Sequence, residues 1–138
     1  MSTLIFGHES SEEHDMGLGH PERPDRIRAV KKALDADRFN DLEYREAPRA
    51  TVEQISRVHD HSYVTELLEA VPEQGRVQVD PDTSMCPASG EAALRASGAI
   101  IAAIDAIMGG ESNSAFCAVR PPRHHAEPSR GMGFCLFN

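Results

Sequence analysis

Two adjacent histidines, His124 and His125, are the residues of this sequence best suited to do chemistry. They follow an apolar run, 115–119, that is ended by Arg120 and two prolines. Because proline fixes φ and has no N–H for a sheet ladder, the pattern predicts a buried strand that ends in a rigid turn. Loops at strand ends often carry the reactive groups of α/β proteins, and imidazole exchanges protons near neutral pH. The pair therefore indicates acid–base chemistry, although neighbouring histidines also occur by coincidence on a surface or in a core.

The residues around this pair resemble a signature of the histone deacetylase family. Segments 120–126, RPPRHHA, and 133–138, GFCLFN, are similar to the RPPGHHA and GFCLFN motifs of that family, which includes bacterial acetylpolyamine amidohydrolases and acetoin-utilisation proteins. Arg123 stands where the family usually has glycine. The resemblance implies an α/β fold of the arginase/deacetylase type, with three layers and a mainly parallel sheet.

The same resemblance implies an activity and roles for four residues. Members of the family are zinc-dependent hydrolases that remove acetyl groups from acetylated lysine peptides or acetylated polyamines. Their tandem histidines act on the zinc-bound water and on the tetrahedral intermediate. By this resemblance, His125 is the principal general base and His124 its electrostatic or proton-donating partner. Phe134 is expected to line the narrow channel for the substrate's methylene chain, and Gly133 to keep that side of the channel close.

The zinc ligands of the family follow its GFCLFN motif, as does the tyrosine that polarises the acetyl carbonyl. These ligands are an Asp-x-His pair and a later aspartate, so no residue of this chain is expected to bind the metal. The chain also ends on an apolar segment, whereas termini are usually polar. We therefore expect residues 1–138 to be the N-terminal part of a single deacetylase domain, with a fold incomplete at the C-terminus and no activity on its own.

Two further residues receive roles from the resemblance. Segment 20–29, HPERPDRIRA, is similar to the N-terminal signature of the family, in which a basic residue at the position of Arg23 lines an internal cavity behind the active site. Arg26 or Arg28 could equally form structural ion pairs. An aspartate at the position of Asp82 accepts hydrogen bonds from the backbone amides of the substrate at the pocket rim. By its loop context alone, Asp82 is equally well explained as a turn former or a helix cap.

The other regularly spaced histidines do not predict a metal site. His8, His14 and His20 recur at six-residue intervals in a long polar loop, and this spacing fits no standard zinc site. His59 and His61 look like a ligand pair, but the family shares an RVH…Y segment of structural character. We favour packing and capping roles for both.

Apolar periodicity and turn residues predict alternating strands and helices. The predicted strands are 4–6, 41–47 and 115–119, with an extended piece at 75–80 that leads into a loop at 80–87. The predicted helices begin near Pro24, at the Thr51 capping box, before Tyr63 and at Ala88. The last of these helices runs to Met108, and from Ala99 it is apolar on nearly every side, which predicts burial. The alternation favours an α/β fold with a largely parallel sheet.

Composition limits the partners. The 138 residues carry a net charge of −8, which argues against non-specific binding to nucleic acid or to anionic membranes and is compatible with a cationic substrate. The three cysteines form no CxxC pair, which excludes a zinc-finger spacing and a disulfide framework. The start lacks a signal peptide, and no stretch is long and apolar enough to span a membrane, so a cytoplasmic location is expected.

Two competing functions and one substitution remain open. A ureohydrolase of the arginase type shares the fold but lacks the RPPxHHA segment. A non-catalytic acyl-lysine-binding module, or a degenerate deacetylase, would keep the pocket without the metal. Arg123 could lower the pKa values of the neighbouring histidines by like-charge repulsion, or it could point outward to solvent.

Overall fold

Strands and helices alternate along the chain in the computed structural model, which describes residues 2–138. The strands are β1 (Leu4–Gly7), β2 (Glu43–Glu46), β3 (Val77–Asp80), β4 (Thr83–Met85) and β5 (Ala115–Ala118). The helices are α1 (Ser10–Glu13), α2 (Pro24–Leu34), α3 (Val52–Ile55), α4 (His61–Glu69) and α5 (Ser89–Met108), with a 3-10 turn at Asp37–Phe39. Within residues 2–138, no helix combines the length and apolar character needed to cross a membrane.

Three parallel strands form the main sheet in the order β2-β1-β5. Gly7, the last residue of β1, lies opposite both Glu46 and Ala118, the last residues of the neighbouring strands. The carboxyl ends of all three strands therefore meet at one edge. Parallel neighbours need long crossover connections, and α2 and α5 lie in the connections that bring β2 and β5 beside β1. The predicted α/β fold with a parallel sheet is confirmed.

Helices cover both faces of this sheet, which gives three layers. Successive side chains of a strand point to opposite faces. Leu4 and Phe6 pack with alanines of α5, whereas Ile5 packs with Ile27 of α2 on the other face. The small side chains of α5 allow close packing: a Cβ on Gly98 would lie 1.8 Å from the carbonyl oxygen of Pro48.

The outer face of α5 differs from the prediction. Ala99, Ala103 and Ala106 are buried against the sheet, but Ile104 is 54% exposed and Met108 is 81% exposed. The prediction of burial on nearly every side was therefore wrong for the described residues. An apolar helix is buried on every side only where other elements pack against every side. Within residues 2–138, only the face of α5 toward the rest of the chain is covered.

A small hairpin replaces part of the predicted loop at 80–87. Residues Thr83–Met85 form β4, which pairs antiparallel with β3 so that Val77 lies opposite Met85. All three residues of β4 are buried. Turn-forming residues around this short run predict a loop, but burial and cross-strand pairing stabilise a strand instead.

The final segment, 133–138, packs against this hairpin and the short helices. Leu136 and Phe137 share a core cluster with Ile55 of α3, Val64 of α4 and Met85 of β4. The predicted capping box at Thr51 is confirmed, because its hydroxyl accepts from the N–H of Gln54 and the Gln54 side chain accepts from the N–H of Thr51. The apolar motif near the end of the chain is thus a core element.

Candidate active site

The tandem histidines lie just after β5, at the edge where the parallel strands end. The Arg120–Pro121 peptide bond is cis, and the turn that follows presents both imidazoles on the surface. The ring centroids of His124 and His125 are 4.2 Å apart, and the ring planes are inclined by 54°. Two imidazoles this close, exposed at a strand end, can exchange protons with one bound molecule.

Gly133 lies directly against the second of these histidines. A Cβ built on Gly133 would come within 2.6 Å of the Cβ of His125 and 2.7 Å of its Cγ. The φ angle of Gly133 is 58°, a value that side-chain-bearing residues rarely adopt. Both the conformation and the close approach therefore require glycine here, and the tail packs tightly under the histidine.

The next residue, Phe134, also has a positive φ, of 71°. It is the one described non-glycine residue with a positive φ. For a bulky residue this conformation is strained. Two contacts hold it: the backbone N–H of Phe134 donates to the Thr83 hydroxyl at 2.9 Å, and its ring meets the His20 ring edge-on at 4.8 Å. Strain of this kind at a fixed aromatic side chain is common at ligand sites.

Asp82 is joined to this aromatic residue through two neighbours. The Thr83 hydroxyl donates to the Asp82 carboxylate at 3.0 Å, and the Asp82 carbonyl lies 2.8 Å from Nε2 of His20. Because Nδ1 of His20 accepts from the N–H of Glu22, Nε2 carries the proton that it donates to Asp82. The structure thus brings Asp82, Phe134 and Gly133 into one connected group, with the Asp82 carboxylate exposed.

His20 is a residue that the sequence analysis did not assign to the site. Its ring joins the 20–29 segment to Asp82 and contacts Phe134, and both of its nitrogens have partners. The signal for this role is its position at the start of the HPERPDRIRA motif, whereas the spacing of the histidines raises only the question of a metal site.

Arg120 is a second missed residue, and it is buried behind the turn. Its guanidinium donates twice to the Glu22 carboxylate, at 2.7 and 2.6 Å, and to the backbone carbonyls of Ser11, His14 and Glu22. All five N–H donors of the side chain are therefore satisfied. This network fixes the turn before the histidines against the first long loop and explains the arginine at the start of the RPP motif.

Arg23 lies on the surface of the described residues, and its assigned role stays a prediction. Its side chain is 58% exposed and approaches only Asp25, at 3.7 Å. Arg23 precedes the first residue of α2, so its side chain leaves the helix toward solvent. Arg26, one turn into α2, instead contacts Glu22 at 3.4 Å and lines a cavity of about 370 Å³ with Arg120.

Two further histidines, His14 and His59, pack inside the fold with hydrogen-bond partners. His14 is fully buried with Nδ1 2.7 Å from the Ser89 hydroxyl, and burial, reinforced by the Arg120 charge, lowers its pKa to about 3. Nδ1 of His59 donates to the Pro128 carbonyl and Nε2 accepts from the N–H of Asn138. Within residues 2–138, no cluster of three or more His, Cys, Asp or Glu side chains could hold a metal ion.

Arg123 points toward α5. One Nη of its guanidinium donates to the Ala96 carbonyl at 2.7 Å, and the side chain is half-buried. The side chain of Arg123 therefore does not point outward to solvent. Arg123 and His124 both line a cavity of about 430 Å³ beside the turn.

Comparison with known proteins gives one family and a set of relatives. The family described as Histone deacetylase domain matches residues 20–138. The chain is 38% identical over 120 residues to a Histone deacetylase-like amidohydrolase from Pseudomonas aeruginosa, which covers 86% of this chain and 31% of that protein. It is 34% identical over 141 residues to a Probable deacetylase from Archaeoglobus fulgidus, which covers 100% of this chain and 39% of that protein.

A solved structure agrees with these relatives. The crystal structure of the HDA15 HD domain matches with a TM-score of 0.91 and 29% identity, over 99% of this chain and 40% of that chain. This match confirms the predicted arginase/deacetylase-type fold. The chain spans between 31% and 40% of the length of these proteins.

Proposed function

Since the chain belongs to the histone deacetylase family, we propose that the protein containing it is a hydrolase that removes acetyl groups from acetylated lysine peptides or acetylated polyamines. The observation that carries this proposal is the pair of imidazoles at the end of β5, with ring centroids 4.2 Å apart. Gly133 packed under His125 and the ring of Phe134 support it, because they complete the motif in space.

The two histidines take different roles in amide hydrolysis: His125 is the general base, and His124 is its electrostatic or proton-donating partner. His125 takes a proton from the attacking water as its oxygen bonds to the carbonyl carbon. His124 stabilises the charge that develops, and the proton reaches the amine nitrogen as the carbon–nitrogen bond breaks. The products are a carboxylic acid and an amine, which become a carboxylate and an ammonium group when the acid's proton passes to the amine. General acid–base catalysis of this kind contributes about 10²- to 10⁴-fold to a rate.

Zinc is the proposed cofactor, on the resemblance alone. The described residues do not themselves fit such a site, because a catalytic zinc takes three protein ligands and residues 2–138 offer no cluster of that size. We therefore propose that residues 1–138 form the N-terminal part of one deacetylase domain, that the ligands lie in the part of the family domain not spanned by this chain, and that the chain alone is inactive.

Substrate binding is assigned to the group around Phe134. The Phe134 ring would contact the substrate's methylene chain, and the exposed Asp82 carboxylate would accept hydrogen bonds from its amides. The net charge of −8 is compatible with a cationic partner such as a polyamine or a lysine-rich peptide.

Activity assays with matched variants test the function. Release of acetate from an acetyl-lysine peptide and from an acetylated polyamine should be measured with the 138-residue chain and with any longer protein that contains it. In an active protein, His125→Ala should lower kcat by about 10²-fold or more, whereas the exposed His61→Ala should leave kcat unchanged. Full activity in His125→Ala would refute the assigned role. Stoichiometric zinc with turnover in the isolated chain would refute its proposed incompleteness.

A non-catalytic acyl-lysine-binding module is the second candidate. The observation in its favour is that the group of Phe134, Thr83 and the exposed Asp82 is held together without a metal. It predicts saturable binding of an acetyl-lysine peptide with no acetate release from any longer form of the protein.

A further inference from the structure

His20 connects two residues of the candidate site that lie far apart in the chain. Its Nε2 donates to the Asp82 carbonyl at 2.8 Å, and its ring meets the Phe134 ring edge-on with the centroids 4.8 Å apart. One side chain thus contacts both residues to which substrate binding through side chains is assigned, although its own sequence position precedes α2.

The backbone fixes the roles of the two His20 nitrogens. A carbonyl can only accept, so Nε2 carries the proton that reaches Asp82, while Nδ1 of the neutral ring accepts from the N–H of Glu22 at 3.0 Å. Glu22 is itself buried and accepts two hydrogen bonds from Arg120. The ring of His20 is therefore anchored to the interior of the fold on one side and holds the hairpin on the other.

Each polar group of Asp82 has a described partner. Its N–H donates to the Asp80 carboxylate at 3.0 Å, its carboxylate accepts from the Thr83 hydroxyl at 3.0 Å, and its carbonyl accepts from His20. The first two partners lie within two residues of Asp82, in the hairpin formed by β3 and β4. Among these hydrogen bonds, only the one from His20 ties the turn to another part of the molecule.

The ring of Phe134 depends on His20 in a different way. The Thr83 hydroxyl accepts from the N–H of Phe134 and so holds its strained backbone, but it leaves the direction of the ring open. An edge-to-face contact is a preferred geometry for two aromatic rings. The ring of His20 supplies this contact and fixes the direction in which the Phe134 ring points.

We propose that His20 is a positioning residue for substrate binding: its Nε2–H holds the Asp82 turn, and its ring holds the Phe134 side chain. The effect on substrates rests on the proposed function, in which Asp82 accepts hydrogen bonds from peptide amides and Phe134 contacts the methylene chain. The two contacts of His20 therefore serve different parts of a substrate. Loss of the N–H should weaken the binding of substrates with backbone amide donors, whereas loss of the ring should weaken the binding of every substrate with the methylene chain.

Two variants of the 138-residue chain separate the contacts. His20→Phe keeps an aromatic ring without an N–H donor, and His20→Gln keeps a side-chain N–H donor without a ring. We expect His20→Phe to shift the NMR signal of the Thr83 amide nitrogen, which shares a peptide group with the Asp82 carbonyl. His20→Gln should mainly shift the Phe134 ring protons. His61→Phe changes an exposed histidine of α4 and should shift neither signal.

The parent chain gives a further test that needs no variant. The ring ¹⁵N shifts of His20 should show the proton on Nε2, and a proton on Nδ1 alone would overturn the proposal. Unshifted signals of Thr83 in a folded His20→Phe chain, or of Phe134 in a folded His20→Gln chain, would also overturn it.

Kinetics in a longer, active protein give a readout that a merely structural role would not move. The substrates are an acetyl-lysine peptide and the same peptide methylated on the backbone nitrogens that flank acetyl-lysine, which removes their N–H donors. We expect His20→Phe to raise KM for the unmethylated peptide by about three- to tenfold, the loss of part of one hydrogen bond to a carboxylate, with kcat unchanged. KM for the methylated peptide should not change in His20→Phe, whereas His20→Gln should raise KM for both peptides.

Failure of this inference is distinguishable from failure of the proposed function. Equal changes in KM for the two peptides in an active His20→Phe protein would overturn the link through Asp82 and leave the proposed function standing. Absence of deacetylation by every longer form would remove the proposed function. In that case the spectra of the 138-residue chain would still decide whether His20 holds Asp82 and Phe134.

Discussion

Gly133 and His125 are packed so closely that a Cβ on the glycine would lie 2.6 Å from the Cβ of the histidine. Gly133→Ala is therefore expected to displace the His125 ring and to lower the free energy of unfolding. The positive φ alone costs about 1–2 kcal/mol, and the contact adds to it. Urea unfolding and the NMR shifts of the His125 ring measure both effects.

The matched control for this change is Gly75→Ala. Gly75 has a similar φ of 68°, but nothing lies within 4 Å of its added Cβ. It should show the conformational cost without any shift of the histidine ring. Equal destabilisation by the two variants would show that contact with His125 is unimportant.

The buried pair of Glu22 and Arg120 is expected to be the most sensitive ion pair in the described chain. Both side chains are almost completely buried and joined by two hydrogen bonds. Glu22→Ala leaves the guanidinium buried without a counter-ion, so we expect a loss of about 3–5 kcal/mol in the free energy of unfolding. Chemical denaturation measures this loss.

An exposed pair provides the comparison for Glu22→Ala. Arg45 and Glu111 form a 2.6 Å ion pair at the surface, and Glu111→Ala should cost no more than about 1 kcal/mol. Similar values for the two variants would mean that solvent reaches Arg120 and that the turn is not held by this network.

His14 is expected to make stability depend on pH. Its ordinary pKa of 6.5 falls to about 3 in the folded chain, chiefly through burial. Between these values the unfolded chain binds a proton that the folded chain does not, so stability falls as the pH falls from about 6.5 toward 3. From about pH 7 to about pH 4.5 we expect a loss of about 2–3 kcal/mol from this group.

The difference between His14→Gln and the parent chain isolates this effect from the titration of carboxylates. The variant should lose the part of the pH dependence that His14 contributes, whatever its absolute stability. His61→Gln changes an exposed histidine and should keep the parent's dependence. Unchanged pH dependence in His14→Gln would exclude a buried neutral imidazole.

Thr83 is expected to hold the strained backbone of Phe134. Its hydroxyl accepts from the Phe134 N–H and donates to Asp82. Thr83→Val keeps the shape but leaves that N–H without its acceptor, so we expect a loss of about 1–3 kcal/mol in unfolding free energy. Thr65→Val, at a half-buried position of α4 where the hydroxyl donates only to carbonyls of its own helix, should stay within about 0.5 kcal/mol of the parent chain. Equal effects would contradict a special role for the hydroxyl.

Local pattern predicts much of this fold, because the relevant interactions lie within a few residues. The strand before the prolines, the capping box at Thr51 and the helix beginning at Pro24 all follow from periodicity and turn chemistry. The adjacency of His124 and His125 needs no tertiary information. These features depend on neighbours in sequence, which a pattern can show.

The rest of the site depends on partners far away in the chain. The pairing of Arg120 with Glu22, the contact of His20 with Phe134 and the strand at Thr83 leave no local periodicity. For the same reason the exposed face of α5 was misjudged, since burial is a property of what packs against a helix. The sequence did not show that Arg26 lines a cavity, because the direction of each arginine side chain depends on the residue at which α2 begins.

The partners of Arg120 have a consequence for any attempt to isolate the motif. Arg120 and Glu22 are 98 residues apart, His59 and Asn138 are 79 apart, and Phe134 and Thr83 are 51 apart. A synthetic peptide of residues 115–138 would contain the RPPRHHA and GFCLFN segments but would lack Glu22, His59 and Thr83. It should behave as a random coil, and in the intact chain the histidines should take up their arrangement only after the slow closure of long loops.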